Sequence, residues 1–127
     1  MTVEIEVPFH DVDAGWIVWH GHYYKYLEIA RTALARKNGM DVEDVLAIGC
    51  RMVVTETRCR HVHPLRYGDR VQVKAWFREL TPRIVVAYDV TNVTEGRRAA
   101  RAHTTLVTTD AEGNLLPQTP DALLQGR

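Results

Sequence analysis

The stretch Phe9-His10-Asp11-Val12-Asp13-Ala14-Gly15-Trp16-Ile17-Val18-Trp19-His20-Gly21-His22-Tyr23 gathers two carboxylates, three imidazoles and two indoles into fifteen positions. Imidazoles change charge near neutrality, and carboxylates are ionised there and can take up a proton as a base. Asp13 is a candidate base or nucleophile. The backbone N–H at His20, seven residues on and at the expected start of a helix, is a candidate donor to a developing oxyanion. A turn aspartate also commonly hydrogen-bonds its own backbone, and that local role is open to both Asp11 and Asp13.

Two elements must hold this stretch. Upstream, Val3, Ile5, Val7 and Phe9 alternate with Thr2, Glu4, Glu6 and Pro8, the pattern of a strand with one wet face. Pro8 removes a ladder donor and suits the exit into a loop. Downstream, Tyr23, Tyr26, Leu27, Ala30 and Leu34 make one apolar stripe at helical spacing, with Lys25, Glu28, Thr32 and Lys37 away from it. The helix is expected to begin near His20 or Gly21, so its free N–H groups and positive dipole end face the loop. A connection of about a dozen residues is long for an ordinary loop, and such loops on rigid frames carry sites.

The run Phe9-x-Asp11-x-Asp13-Ala14-Gly15-x-Ile17-Val18-x-His20, with Tyr23, Glu28, Ala30, Arg31 and Thr32 beyond it, resembles the hotdog-fold acyl-CoA thioesterases of the 4-hydroxybenzoyl-CoA thioesterase type. It looks closest to their Tol-Pal-associated bacterial branch. The resemblance implies that Asp13 is the catalytic carboxylate and that His20 is the histidine working beside it. It implies a homodimer or homotetramer, with subunits joined edge to edge and acyl-CoA in grooves between them. Two positions depart from the branch pattern. Phe9 stands where a Tyr is common, which removes a hydroxyl, and Trp16 stands where Gly is usual, so its indole either narrows the acyl pocket or turns outward.

The rest of the chain supplies the frame. Asn38-Gly39 stops the long helix, and Asp41 caps a short second one ending at Gly49. Period-two patterns then give a strand from Met52 to about His63, a third through Val71, Val73, Ala75 and Phe77, a fourth through Ile84, Val86, Tyr88 and Val90, and a fifth from Ala99 to Thr109. Tyr67-Gly68-Asp69, Thr81-Pro82, Glu95-Gly96 and Ala111-Glu112-Gly113-Asn114 are the turns, and consecutive antiparallel hairpins are the simplest pairing. Thr119-Pro120-Asp121 opens a last short helix. The fold class expected is α+β, the hotdog fold: a curved five-stranded antiparallel sheet wrapped around one long helix, in a single domain over residues 1–127.

Composition narrows the partners. Sixteen basic and sixteen acidic side chains cancel, so no global field favours nucleic acid or an anionic membrane surface. The opening Met-Thr-Val-Glu-Ile-Glu has no basic start and no long apolar run follows, so neither a signal peptide nor a membrane span is expected and the expected location is cytoplasmic. Cys50 and Cys59 are then expected to be reduced. Cys59, His61 and His63 alternate on one strand face as metal ligands can, but no fourth ligand is fixed by spacing, and neither a metal nor a cofactor is expected.

A thioester suits this set of residues. Its leaving thiolate is stable, as the pKa of about 8.5 for a cysteine thiol indicates, so one carboxylate and an oxyanion hole suffice. The expected substrate contacts are Phe9, Gly15, Trp16, Trp19 and Tyr23, although apolar residues beside a core helix also serve simply as core. Arg83, opening the fourth strand, is the candidate for coenzyme A phosphates. The expected function is acyl-CoA thioester hydrolysis, by a covalent route or by general-base attack of water. The alternatives are hydrolysis of acyl-carrier-protein thioesters and non-catalytic acyl-CoA binding on the same fold.

Overall fold

A computed structural model describes residues 1–124. Strand β1 (Thr2–Glu6) leads through the loop to helix α1 (Tyr23–Lys37) and the short α2 (Val42–Ala47). Strands β2 (Cys50–His61), β3 (Arg70–Glu79), β4 (Ile84–Asn92) and β5 (Arg97–Asp110) follow, then α3 (Asp121–Leu124). Residues 125–127, at the end of the last expected helix, lie outside the described residues. No helix among the described residues is long and apolar enough to cross a membrane.

The apolar stripe of α1 does what its spacing predicts: Tyr23, Tyr26, Leu27, Ala30 and Leu34 are its buried residues. They pack with Val71, Val73 and Ala75 of β3, Ile84, Val86 and Tyr88 of β4, and Leu106 of β5 into one core. The helix ends where glycine supplies a positive φ of 66° at Gly39. Asp41 then opens α2 with a capping box: its side chain accepts the Val42 N–H at 2.8 Å and Asp44 accepts the Asp41 N–H at 3.0 Å.

All pairings are antiparallel, and the sheet order is β1-β3-β4-β5-β2. The expectation of consecutive hairpins holds for β3-β4-β5 and fails for β2, which pairs with β5. The reason is the helical crossing: α1 and α2 carry the chain over the sheet face, so β2 lands on the edge opposite β1. Bulges between Val54 and Glu56, Phe77 and Glu79, and Val90 and Thr91 bend the strands they interrupt. This is the hotdog arrangement that the resemblance implies, with β1 and β2 as the sheet edges.

Candidate active site

The loop between β1 and α1 is folded on itself. Val12 and Val18 form an antiparallel bridge, the Asp13 N–H donates to the Ile17 carbonyl at 2.9 Å, and the Trp16 N–H to the Asp13 carbonyl at 3.0 Å. Ala14, Gly15 and Trp16 are therefore its tip. Trp16 holds φ at +65°, a left-handed conformation that glycine adopts without strain and an indole-bearing residue does not. A second set of contacts fastens the loop to the β2–β3 connection, where the Val18 N–H donates to the Leu65 carbonyl at 2.8 Å and Ile17 bridges Arg66.

The third fastening is Asp11. Its side chain is fully buried and accepts hydrogen bonds from the Lys25 ammonium and the Tyr26 hydroxyl, each at 2.6 Å. Its carbonyl also accepts the Trp19 N–H at 3.1 Å. Burial pushes the Asp11 carboxyl up, but donation from Lys25 and Tyr26 outweighs burial and holds it below the ordinary carboxylate range. Burial and the same contact drive the Tyr26 phenol upward. One buried side chain thus ties the loop to the first turn of α1.

Asp13 meets a different environment. It is exposed, and its Oδ1 accepts the Gly15 N–H at 2.8 Å, closing an Asx turn. Its second oxygen has no partner among the described residues. The side chain lines a groove of about 310 Å³ together with Trp19, His20 and Tyr23 of the helix start and His61 and His63 from the end of β2 and beyond. That volume is at the small end for ligand pockets. His20, which the sequence pairs with Asp13, is therefore brought to the same groove.

The helix start differs in detail from the expected one. His20–His22 form a 3-10 turn and α1 proper begins at Tyr23, because the His22 N–H bonds back three residues to the Trp19 carbonyl at 2.9 Å. No side chain caps α1 and no acidic residue stands in its first turn, and the Asp11 carboxylate that lies against that end is already engaged by Lys25 and Tyr26. The N–H groups of His20 and Gly21 have no hydrogen-bond acceptor among the described residues. The Trp19 ring sits 5.2 Å from that of His20 and 5.4 Å from that of His22. A Cβ at Gly21 would collide with the six-membered ring of that indole.

Two histidines of the groove lay outside the expected site. The His61 ring is edge-on to Tyr23 at 4.4 Å and lies 6.3 Å from His20; burial first, and then His20, push its pKa below the usual imidazole value. His63 Nε2 is buried with no hydrogen-bond partner among the described residues. The alternation of Cys59, His61 and His63 was their signal in the sequence. Among the described residues no three such groups converge to hold a metal ion. The Tyr23 phenol, pushed up to about 12 mainly by burial, is a neutral wall.

The other expected contacts scatter. Phe9 and Trp16 are each 60% exposed and, with Tyr67, form an edge-to-face aromatic cluster outside the groove lining, with centroids 6.0 and 5.6 Å apart. Trp16 has thus turned outward. Gly15 serves the Asx turn. Arg83 sits at the β3–β4 hairpin, paired with Glu79 at 3.4 Å, and does not line the groove.

Residues 7–126 match the family described as the thioesterase-like superfamily. The chain belongs to that superfamily. Membership places it among thioester hydrolases. The Synechocystis protein sll0410, whose name is a provisional esterase assignment, is 28% identical over 120 residues, covering 93% of this chain and 72% of its own length. YbgC of Escherichia coli O6:H1, named an acyl-CoA thioester hydrolase, is 27% identical over 70 residues, or 55% of this chain and 52% of its own length. This chain therefore matches about half of that relative. The crystal structure of the hypothetical protein AQ1494 from Aquifex aeolicus superimposes with a TM-score of 0.87 at 26% identity, covering 98% of this chain and 97% of that one.

Proposed function

We propose that the chain hydrolyses acyl-CoA thioesters in the groove between the β1–α1 loop and the end of β2. The observation that carries the reading is the meeting of the half-free Asp13 carboxylate with an uncapped helix start in one groove. Asp13 acts as general base: its Oδ1 is held by Gly15, and its other oxygen takes a proton from water as that water attacks the thioester carbon. The carbonyl oxygen gains charge beside the unpaired N–H groups of His20 and Gly21, where the helix dipole stabilises it. The carbon–sulfur bond then breaks, and the proton on Asp13 returns to the departing thiolate. His20 orients the water and the neutral His61 forms the opposite wall.

The acyl-CoA substrate is supported by the name of YbgC and by the resemblance of residues 9–32 to the 4-hydroxybenzoyl-CoA type. Asp13→Asn removes the base while keeping an oxygen for the Gly15 N–H. It should lower thiol release from acyl-CoA by about 100- to 10,000-fold with an unchanged melting temperature. Wild-type turnover in the folded variant would overturn the assignment.

A further inference from the structure

Phe9, Trp16 and Tyr67 reach one surface patch from three separate segments: the exit of β1, the tip of the β1–α1 loop and the β2–β3 connection. Tyr67, at 57% exposure, is nearly as open as the other two. Phe9 meets both neighbours edge-on, and an edge-on pair covers at most one ring face, so most faces of the cluster stay open to a flat ligand. Burial does not explain the patch. Nor does the backbone, since glycine would hold the left-handed φ of Trp16 without strain. Strain kept together with an exposed indole points to a contact outside the chain.

The charge beside the cluster says what that contact is. Arg66 precedes Tyr67 and bridges Ile17, the neighbour of Trp16; it is exposed and makes no ion pair among the described residues. Asp69, the carboxylate nearest to it in sequence, is buried and accepts the Arg66 backbone N–H at 2.9 Å and the Asn92 amide at 2.8 Å. Open aromatic rings beside a free guanidinium suit a nucleotide, whose base stacks on the rings while a phosphate takes the guanidinium donors. The patch is also within reach of the Asp13 groove. Trp16 follows Asp13 by three positions and donates its N–H to the Asp13 carbonyl, so their Cα atoms are at most about 11 Å apart. The pantetheine arm between the thioester and the nucleotide of an acyl-CoA is longer than that and bends.

We infer that Phe9, Trp16, Tyr67 and Arg66 bind the adenine nucleotide end of the acyl-CoA substrate, the base against the rings and a phosphate on the guanidinium. The inference rests on the hydrolytic reading for its substrate and adds the residues that grip the half of it remote from the thioester. Isothermal titration of the full chain with adenosine 3′,5′-bisphosphate, which has neither acyl group nor thioester, tests it. Saturable binding is expected in the wild type and equally in Asp13→Asn, which separates a failure here from a failure of the hydrolytic assignment. Trp16→Gly, which also relieves the backbone strain, and Arg66→Met should each weaken binding about tenfold. Arg66 is exposed, so its variant keeps the test valid if Trp16→Gly disturbs the loop. In turnover, the ratio of kcat/KM for an acyl-CoA to that for the N-acetylcysteamine thioester of the same acyl group should fall about tenfold in both variants. The second substrate lacks the nucleotide, so any disturbance of Asp13 lowers both values and cancels in the ratio. Absence of saturable nucleotide binding, wild-type affinity in either variant, or an unchanged ratio would overturn the inference.

Discussion

Asp11 and Asp13 stand two positions apart and meet opposite environments, one sunk against α1 and the other open to the groove. The Phe9–Asp11 3-10 turn causes the split by breaking the extended alternation that would have kept both on one side. Both aspartates were legible as candidates, and the local role proposed for them falls to Asp13 alone, through Gly15. The donors that claim Asp11 come from Lys25 and Tyr26 in another element, so local spacing does not reveal them. Because the folded Asp11 carboxyl lies below its ordinary value of 3.8, its stabilising contribution is complete above that pH. It is lost as pH falls through the lower folded value. Asp11→Asn should therefore flatten the loss of stability below about pH 4, and should lower stability at pH 7 by about 1 to 3 kcal/mol. Urea unfolding across pH 2 to 7 reads both effects, and an acid slope identical to the wild type would sink the account.

The elements themselves are legible wherever one face is buried, but their ends shift: β2 runs Cys50–His61 rather than from Met52 to about His63, and α1 begins at Tyr23 rather than near His20 or Gly21. The α1 stripe and the strand alternation follow from burial periodicity, which sequence carries directly. The 3-10 turn before α1 was not legible, since it depends on how the Trp19 indole lies across Gly21, a packing event between side chains of one short segment. That packing gives Gly21 a role the sequence did not suggest. Gly21→Ala forces the indole off the helix start, and because the Trp19 side chain is half exposed and can swing toward solvent, the cost should stay within about 1 kcal/mol. Replacing Trp19 by Ala in the same chain should restore most of the loss. A double-mutant cycle of melting temperatures and denaturant midpoints measures the coupling, and strict additivity would show that the two residues do not press on each other.

At the scale of the molecule the order of strands matters most, and pairing order is what periodicity cannot encode, because each strand's pattern is the same whichever neighbour it finds. Placing β2 at the edge leaves a twelve-residue strand with one open side, and Val53 and Val54 are each 45% exposed on it. Long open edges that carry apolar residues pair with another strand. The partner proposed is a second copy in the homodimer that the resemblance implies. An isologous pairing of two antiparallel β2 strands is self-complementary, so it sets the Arg51–Val54 end of one strand beside the His61 end of its partner. The groove holding Asp13, His20 and His61 then opens against that junction, which ties turnover to assembly. Val53→Lys with Thr55→Lys sets like charges against each other across the two-fold axis. The mass measured by light scattering after gel filtration should fall from dimer to monomer, and thiol release should fall with it. A wild-type chain that elutes as a monomer at full activity would refute both the edge pairing and the dependence of the site on it.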